Sequence, residues 1–280
     1  MKILVTGGSG KVGWHVVQEL EKGNELRIFD IVSPEEGPHK AKSKHQFFKG
    51  DLLDPASVKK GLEGMDGVAH LAANPWFSPT TFWLNTVGTY NMLEGCRELG
   101  IKRFVMSGSD WGVGKSDERM QPPEAVPVVE TDPCLPRDHY GLSKYVNEIT
   151  CEMYAREYGM KIAVLRQTGV WMPEDTDGYK PKEKKGADES CAKYWWTYVD
   201  ARDVARAFRA ALEAPGLPSY GHYFIAAPDT MIDIPTMDAI KKHWPKVKVR
   251  KPIPGFGSVL SIEAAEKGFG WKPIHLWRSK

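Results

Sequence analysis

The opening of the chain constrains its fold more than any other segment. An apolar, β-branched run, Ile3-Leu4-Val5, feeds straight into Thr6-Gly7-Gly8-Ser9-Gly10-Lys11-Val12-Gly13, and Val16, Val17 and Leu20 then recur at helical spacing. Strand, glycine-rich turn and helix follow in the order a dinucleotide site requires. Glycines permit the tight turn and let the backbone approach a pyrophosphate, whose charge is met by the free N–H groups of the helix N-terminus. Context carries this inference, because a glycine triplet alone fits many plain turns. The string matches two registers: Gly8, Gly10 and Gly13 fit GxGxxG, while Gly7, Gly10 and Gly13 after Thr6 fit TGxxGxxG. The second strand, Leu26 to Phe29, ends at Asp30, about 20 residues past the turn, where a carboxylate accepts hydrogen bonds from ribose hydroxyls and repels a 2′-phosphate. NAD is therefore expected over NADP. Lys11 is either a phosphate partner or an exposed residue of the first helical turn.

Further apolar runs at Gln46 to Phe48, Val68 to Leu71, Phe104 to Met106 and Ile162 to Leu165 alternate with helical patterns. Strands too apolar to have a wet face, alternating with helices, imply a parallel sheet covered on both sides. The expected class is α/β, a doubly wound parallel sheet (Rossmann) with a small C-terminal substrate-binding region. Residues 1–168 are expected to be mainly NAD-binding and 169–280 mainly substrate-binding, with segments interleaved. Beyond Leu165 the pattern turns irregular, with Pro173, Pro181 and the charged stretch Lys180 to Lys185 reading as a long loop. A helix at Ala201 to Glu213 follows, with Asp200 and Asp203 placed to cap it or to stabilise its first turn. Ile232 to Trp271 reads as two short helices around a strand at Val247 to Val249.

Composition excludes several function classes. In 280 residues, 38 basic against 36 acidic side chains give a net charge of +2, so no electrostatic capture of nucleic acid or membrane is expected. No uncharged apolar run approaches the roughly 20 residues that span a bilayer. Cys96, Cys134, Cys151 and Cys191 lie far apart without CxxC spacing, which argues against a disulfide framework or a zinc site. No metal is expected, and the chain reads as cytoplasmic, since it opens on a strand rather than a leader.

Tyr140-Gly141-Leu142-Ser143-Lys144 opens a helix whose Leu142, Val146, Ile149 and Met153 are expected to mark its buried side. A spacing of four places Tyr140 and Lys144 on one face, where an ammonium favours a phenolate and lowers the tyrosine pKa. Such a phenol takes the proton of a substrate hydroxyl as hydride leaves, or returns it in reduction.

With the segment Thr6 to Gly13, this pair resembles the extended short-chain dehydrogenase/reductases, the NAD-dependent epimerase/dehydratase group, and the resemblance covers nearly the whole chain. Asp51-Leu52 is similar to the family's adenine-contacting pair, His70-Leu71-Ala72-Ala73 to its segment after the fourth strand, Asn85-Thr86-Val87-Gly88-Thr89 to its helical asparagine motif, and Phe104-Val105-Met106-Ser107-Gly108-Ser109 to the strand that delivers its serine. The resemblance implies that Ser109 binds the reacting oxygen, with Ser107 the alternative. It makes Tyr140 the acid/base, while Lys144 contacts the nicotinamide ribose and Asn85 serves a proton relay or packs its helix. Gly7, Gly10, Lys11, Val12, Gly13, Asp30, Asp51, Leu52, Leu71, Ala72, Ala73, Tyr140 and Lys144 are the implied NAD contacts. His70 reads as a strand-end histidine held by local hydrogen bonds. The helices Asn85 to Leu99 and Tyr140 to Tyr158 correspond to those that pair in the family's homodimers.

Two departures narrow the expectation. Ser109 is followed by Asp110-Trp111-Gly112 rather than the Thr-Asp-Glu of sugar dehydratases. Leu165-Arg166-Gln167-Thr168-Gly169 puts Gly169 where nucleotide-sugar epimerases carry an asparagine. The remaining likeness is to the uronate or aldose dehydrogenase branch, on short chains with smaller substrates. Trp76, Phe77, Trp111, Trp171, Trp195 and Trp196 fall on the side where open α/β sheets bind ligands, each with packing as the alternative; Trp244, Trp271 and Trp277 read as packing residues of the tail. Asn74, Trp76, Ser109, Trp111, Gln167 and Trp171 are the expected substrate contacts. The main expectation is hydride transfer between NAD and a small sugar-like alcohol or carbonyl compound. The alternative is epimerisation of a nucleotide sugar with tightly bound cofactor.

Overall fold

A computed structural model describes residues 1–74, 79–115, 121–174 and 189–279. In chain order its strands are β1 (Lys2–Thr6), β2 (Glu25–Asp30), β3 (Gln46–Lys49), β4 (Gly67–His70), β5 (Arg103–Ser109), β6 (Ala125–Val126), β7 (Lys161–Gln167), β8 (Val170–Trp171), β9 (Val199–Asp200), β10 (Tyr220–Ile225) and β11 (Lys248–Val249). The helices are α1 (Lys11–Leu20), α2 (Pro55–Leu62), α3 (Pro79–Glu98), α4 (His139–Tyr158), α5 (Ala201–Glu213), α6 (Thr236–His243) and α7 (Glu263–Phe269). The charged stretch Lys180 to Lys185, expected as a loop, lies outside the described residues.

Seven strands form one parallel sheet in the order β10-β7-β5-β4-β1-β2-β3. Ile3, Leu4 and Val5 of β1 are fully buried on both faces, each worth about 1.5–3 kcal/mol of transfer free energy. One face packs Ile3 and Val5 with Val16, Val17 and Leu20 of α1 and Val204, Phe208 and Leu212 of α5. The other packs Leu4 with Val58 and Leu62 of α2, Met92 and Leu93 of α3, and Cys151 and Tyr154 of α4. This is the expected doubly wound α/β architecture. Its seventh strand, β10, escapes the sequence reading because Gly221 and His222 interrupt its apolar run, and pairing with β7 supplies the order that periodicity lacks.

Past residue 168 the chain is shared between layers. The segment containing α5 and β10 completes the sheet layers, while β6 pairs with β11 and Val128 exchanges backbone hydrogen bonds with Val259 and Ser261. A separate apolar cluster joins Val113, Val126, Trp171, Trp195, Trp196, Trp244 and Leu260. The two short helices around a strand expected between Ile232 and Trp271 are α6, β11 and α7. Asp200 caps α5 by accepting from Arg202 N at 2.9 Å. Asp203 does more than stabilise a first turn, since its carboxylate holds the tail through Ile274 N, His275 N and His275 Nδ1 at 2.7 to 3.0 Å.

Helix α4 corrects one expectation. Asp138 caps it by accepting from Gly141 N at 2.7 Å, and Gly159 ends it at φ +61°. Its buried face carries Ser143, Lys144, Asn147, Glu148 and Cys151, whereas Leu142 and Ile149 are 40% and 51% exposed. Polar residues occupy the interior because each has a partner there: Glu148 pairs with Arg166 at 2.7 Å and Lys144 donates to Ser107 O at 2.9 Å. Apolar periodicity cannot see such pairing. No helix among the described residues is long and apolar enough to cross a membrane.

Candidate active site

The turn between β1 and α1 is built so that only glycine fits at two positions. Gly7 sits at φ +68°, and a Cβ there would lie 2.7 Å from Ala72 N; a Cβ on Gly13 would lie 1.9 Å from Gly7 O. Gly10 is the residue before α1 and donates its N–H to Gly7 O at 3.0 Å. Gly8 faces the side chains of Ile28, Val17 and Val5 instead. The turn thus uses Gly7, Gly10 and Gly13, and Gly8 belongs to the core.

These three glycines open onto a cavity of about 630 Å³ at the C-terminal ends of the strands. Lys11, Val12, Asp30, Asp51, Leu52, Leu71, Ala72, Ala73, Asn74, Tyr140, Lys144 and Gln167 line it too, so every position expected to contact the cofactor reaches one space. Phe29, Ile31, Gly50, Leu84 and Ser107 complete the lining. Of these the sequence reading singled out Ser107 alone, although Phe29 and Ile31 flank Asp30 and could have been read from that adjacency. Asp30 receives Ser9 N at 3.1 Å and Val32 N at 3.3 Å. Burial nonetheless pushes its carboxyl above the usual range.

Around Tyr140 the geometry is tight. The Ser109 hydroxyl favours the ionised form of the phenol; it accepts from Trp111 N at 3.2 Å, and Ser109 is 4% exposed. Lys144 Nζ lies 5.5 Å from the Tyr140 ring centre and donates to Ser107 O. Ser107 Oγ accepts from Gln167 Nε2 at 3.0 Å, while Gln167 Oε1 is buried with no partner among the described residues. Ser107 and Gln167 thus face the cavity, and Ser109 is not among its lining residues.

The expected lowering of the Tyr140 pKa does not follow from this arrangement. Burial pushes the phenol up to about 12, opposed by the Ser109 hydrogen bond and reinforced by the carboxylates of Asp110 and Asp138. Burial also brings the Lys144 ammonium down to about 8. In the protein alone desolvation outweighs the lysine, and Tyr140 stands as a proton donor at neutral pH.

Asn85 does not line the cavity. Its amide accepts from Asn74 N at 2.8 Å and donates to Asn74 O at 3.1 Å and Ser143 Oγ at 3.0 Å, tying the segment after β4 to α4. His70 is held between Thr6 Oγ1 at 2.8 Å and Thr89 Oγ1 at 3.2 Å, and burial brings its pKa down to about 3.

The expected aromatic rim is largely core. Trp171 is 5% exposed and stacks on Tyr198 with ring centres 4.1 Å apart, away from the cavity. Trp196 stacks on Trp244 at 4.2 Å, and Trp195 is 2% exposed with its indole N–H donating to Gln121 O. Large apolar area drives such rings inward once a neighbouring ring is available. Trp111 stays beside the site, edge-on to Tyr140 at 6.4 Å and tilted to Tyr194 at 6.5 Å. Trp76 and Phe77 lie outside the described residues.

Sequence reasoning missed the network behind the serine. Asp110, next to Ser109, pairs with Lys115, whose Nζ also donates to Thr168 Oγ1 at 2.9 Å and Thr197 Oγ1 at 2.7 Å. The acid beside the serine was visible only as a departure from a motif. No spacing rule announces its lysine.

Comparison with known proteins agrees with this geometry. The family model described as "NAD dependent epimerase/dehydratase family" matches residues 3–226. A putative UDP-glucose 4-epimerase of Methanocaldococcus jannaschii is 32% identical over 180 residues, 60% of this chain and 56% of that protein. Other matched relatives named UDP-glucose 4-epimerase include those of Streptomyces lividans and Lacticaseibacillus casei. The chain spans about half the length of the curated relatives it matches. Among solved structures, the NAD complex of the Thermus thermophilus UDP-glucose 4-epimerase superposes with a TM-score of 0.72 at 25% identity, covering 99% of this chain and 96% of that one. A mutated uronate dehydrogenase shares the fold at a TM-score of 0.72 and 22% identity, covering 99% and 84%. The chain belongs to the NAD-dependent epimerase/dehydratase family.

Proposed function

We propose that this chain binds NAD in the 630 Å³ cavity and epimerises a sugar through oxidation and re-reduction of one hydroxyl at Tyr140. The observation that carries the reading is that Tyr140 and Lys144 line the same cavity as a turn with no room for a Cβ at Gly7 or Gly13. That cradle fits a pyrophosphate, Asp30 fits the adenosine ribose, and Asp51 with Leu52 fits the adenine end. Leu71, Ala72, Ala73 and Lys144 fit the nicotinamide half. Bound NAD supplies a hydride acceptor and later the donor.

The chain's own residues handle the proton. Ser107, whose side chain faces the cavity, is placed to hold the reacting oxygen while Ser109 supports the phenol. Tyr140 takes the hydroxyl proton and later returns it, and Lys144 offers positive charge to the phenolate. The positive charge of the oxidised cofactor adds to that of Lys144, which offsets the desolvation that keeps Tyr140 protonated in the protein alone. Asn85 keeps the segment after β4 and the helix of Tyr140 in register. The names of the relatives favour this reading over the net dehydrogenation expected from sequence.

Net oxidation of a free sugar with release of NADH is the second reading. It is favoured by Gly169, which offers no side-chain amide where family epimerases hold the nucleotide. Pairing of two copies through α3 and α4 belongs to either reading, since Trp83, Tyr90, Leu142 and Ile149 on those helices are exposed.

Absorbance at 340 nm with purified protein, NAD, and a panel of nucleotide sugars, aldoses, uronates and polyols tests both. Interconversion of a nucleotide sugar without free NADH, with NAD recovered from the denatured protein, is the expected result. Stoichiometric NADH from a free sugar would establish the second reading instead, and activity undiminished in Tyr140→Phe would sink both.

A further inference from the structure

We infer that His15, His39 and Glu174 form a divalent-cation site, with zinc the best-suited ion, at the outer edge of the nucleotide turn. His15 lies on α1, His39 in the loop between β2 and β3, and Glu174 just past β8, so three distant segments supply the donors. Glu174 Oε1 is 3.2 Å from His15 Nε2 and 3.4 Å from His39 Nδ1, and the three donor atoms all lie within 4.8 Å of one another. Two ligands at metal distances of about 2.0–2.2 Å in a tetrahedral site are separated by roughly 3.3–3.6 Å, and the two distances from Glu174 Oε1, 3.2 and 3.4 Å, are close to that spacing.

The hydrogen bonds of His39 make the case specific. Its Nε2 stands 2.9 Å from Lys11 O. A carbonyl oxygen only accepts, so Nε2 must carry the proton, and in the neutral ring Nδ1 is then a bare lone pair. That lone pair faces a carboxylate oxygen, an arrangement of two acceptors that calls for a cation between them. An imidazole whose second nitrogen donates to a backbone carbonyl is also the usual setting of a metal-bound histidine, because the bond fixes tautomer and ring orientation. Two imidazoles and one carboxylate suit zinc and leave a fourth position for water. The alternative cation is a second proton on His39, and only measurement of metal uptake separates the two.

The position gives the site a role independent of the catalytic reading. Lys11 lines the nucleotide cavity, and its carbonyl is the anchor of His39. A bound ion would therefore tie the first turn of α1 to the loop after β2 and to the exit of β8, stiffening the wall of the cavity from outside.

The test is titration of the tag-free, EDTA-stripped protein with zinc chloride by isothermal calorimetry, with cobalt(II) absorbance as a second readout. The expected result is one equivalent bound, visible cobalt bands of a four-coordinate site, and a raised thermal midpoint with zinc. His39→Ala and His15→Gln should each weaken uptake at least tenfold. Glu174, whose side chain is 44% exposed, tolerates Glu174→Gln without risk to folding, and that variant should lose affinity by a similar factor. Absence of saturable uptake in the wild type, or uptake unchanged in Glu174→Gln, overturns the assignment and leaves a protonated His39 as the cation.

Discussion

Lys115 and Asp110 form an ion pair sealed from solvent, their side chains 2% and 0% exposed, and Asp110 directly follows Ser109 in the chain. The lysine also reaches Thr168 and Thr197, so one ammonium joins the ends of β5 and β7 to the approach to β9. One carboxylate oxygen of Asp110 has no partner among the described residues. Removing one member of a buried pair strands the other charge, at about 3–5 kcal/mol. Lys115→Met should therefore lower unfolding free energy by that order, and Asp110→Asn combined with Lys115→Met should recover part of it. A denaturant melt showing Lys115→Met within about 0.5 kcal/mol of wild type would contradict the pairing.

Loss of the phenol should separate chemistry from binding. Tyr140→Phe should reduce turnover by about 10²–10⁴-fold while cofactor affinity, read by protein fluorescence, changes only a few-fold. Ser109→Ala should lower turnover less, because it removes a hydroxyl that favours the phenolate but leaves the phenol itself in place. Equal loss of NAD binding in Tyr140→Phe would mean that the tyrosine serves as cofactor wall rather than acid/base.

The raised pKa of Tyr140 has a kinetic sign. Oxidation needs the phenolate, which becomes more abundant as pH rises toward about 12, whereas reduction needs the phenol already present at neutral pH. The oxidative half-reaction, followed by stopped-flow NADH formation, should therefore quicken as pH rises from about 6.5, by up to tenfold per unit. It should level off at the phenol's pKa in the NAD complex, which the cofactor and Lys144 charges hold below about 12, while the reductive one should stay flat near neutral pH. A flat oxidative profile would show that another base accepts the proton.

Burial of neutral His70 ties stability to acid pH. Its folded pKa of about 3 lies below the ordinary 6.5, so between those values the unfolded chain binds the extra proton. The stabilisation is complete above 6.5 and is lost as pH falls toward 3, at roughly 1.4 kcal/mol per unit in this interval. Denaturant melts from about pH 7 to 4.5 should show this slope, and His70→Asn should remove one proton's worth of it. An unchanged slope in the variant would place the acid sensitivity elsewhere.

The proposed role of Asp30 in the choice between cofactors is open to direct measurement. Its carboxylate, at the end of β2 and lining the cavity, would oppose a 2′-phosphate. Asp30→Ala should shift the ratio of kcat/KM for NAD to that for NADP toward NADP by at least tenfold, and a wild type that prefers NADP would refute the assignment.

Most of the sheet strands were legible because buried parallel strands read as apolar runs, the half-buried edge strand β3 through Phe47 and Phe48 alone, and β10 was not because Gly221 and His222 break its run. The glycine turn was legible to the residue, although which of Gly7 and Gly8 it uses depended on whether a side chain would meet Ala72 backbone or core side chains. Trp171 and Trp196, expected on the rim, are core because Tyr198 and Trp244 offer them ring faces from elsewhere in the chain, and Trp195 is buried with its indole N–H on Gln121 O and Lys115 over its ring.

By itself the sequence determined what depends on neighbours along the chain: the strand, turn and helix that open it, the acid ending β2, and the spacing that puts Tyr140 and Lys144 on one face of α4. Only tertiary structure decided which face of α4 is buried, whether Lys144 or desolvation governs Tyr140, and that Asp110 meets Lys115 and His15 meets His39 and Glu174. These outcomes depend on charges and rings brought together from distant segments. The free energy of a buried group is set by the partners packed around it, and sequence spacing does not encode them.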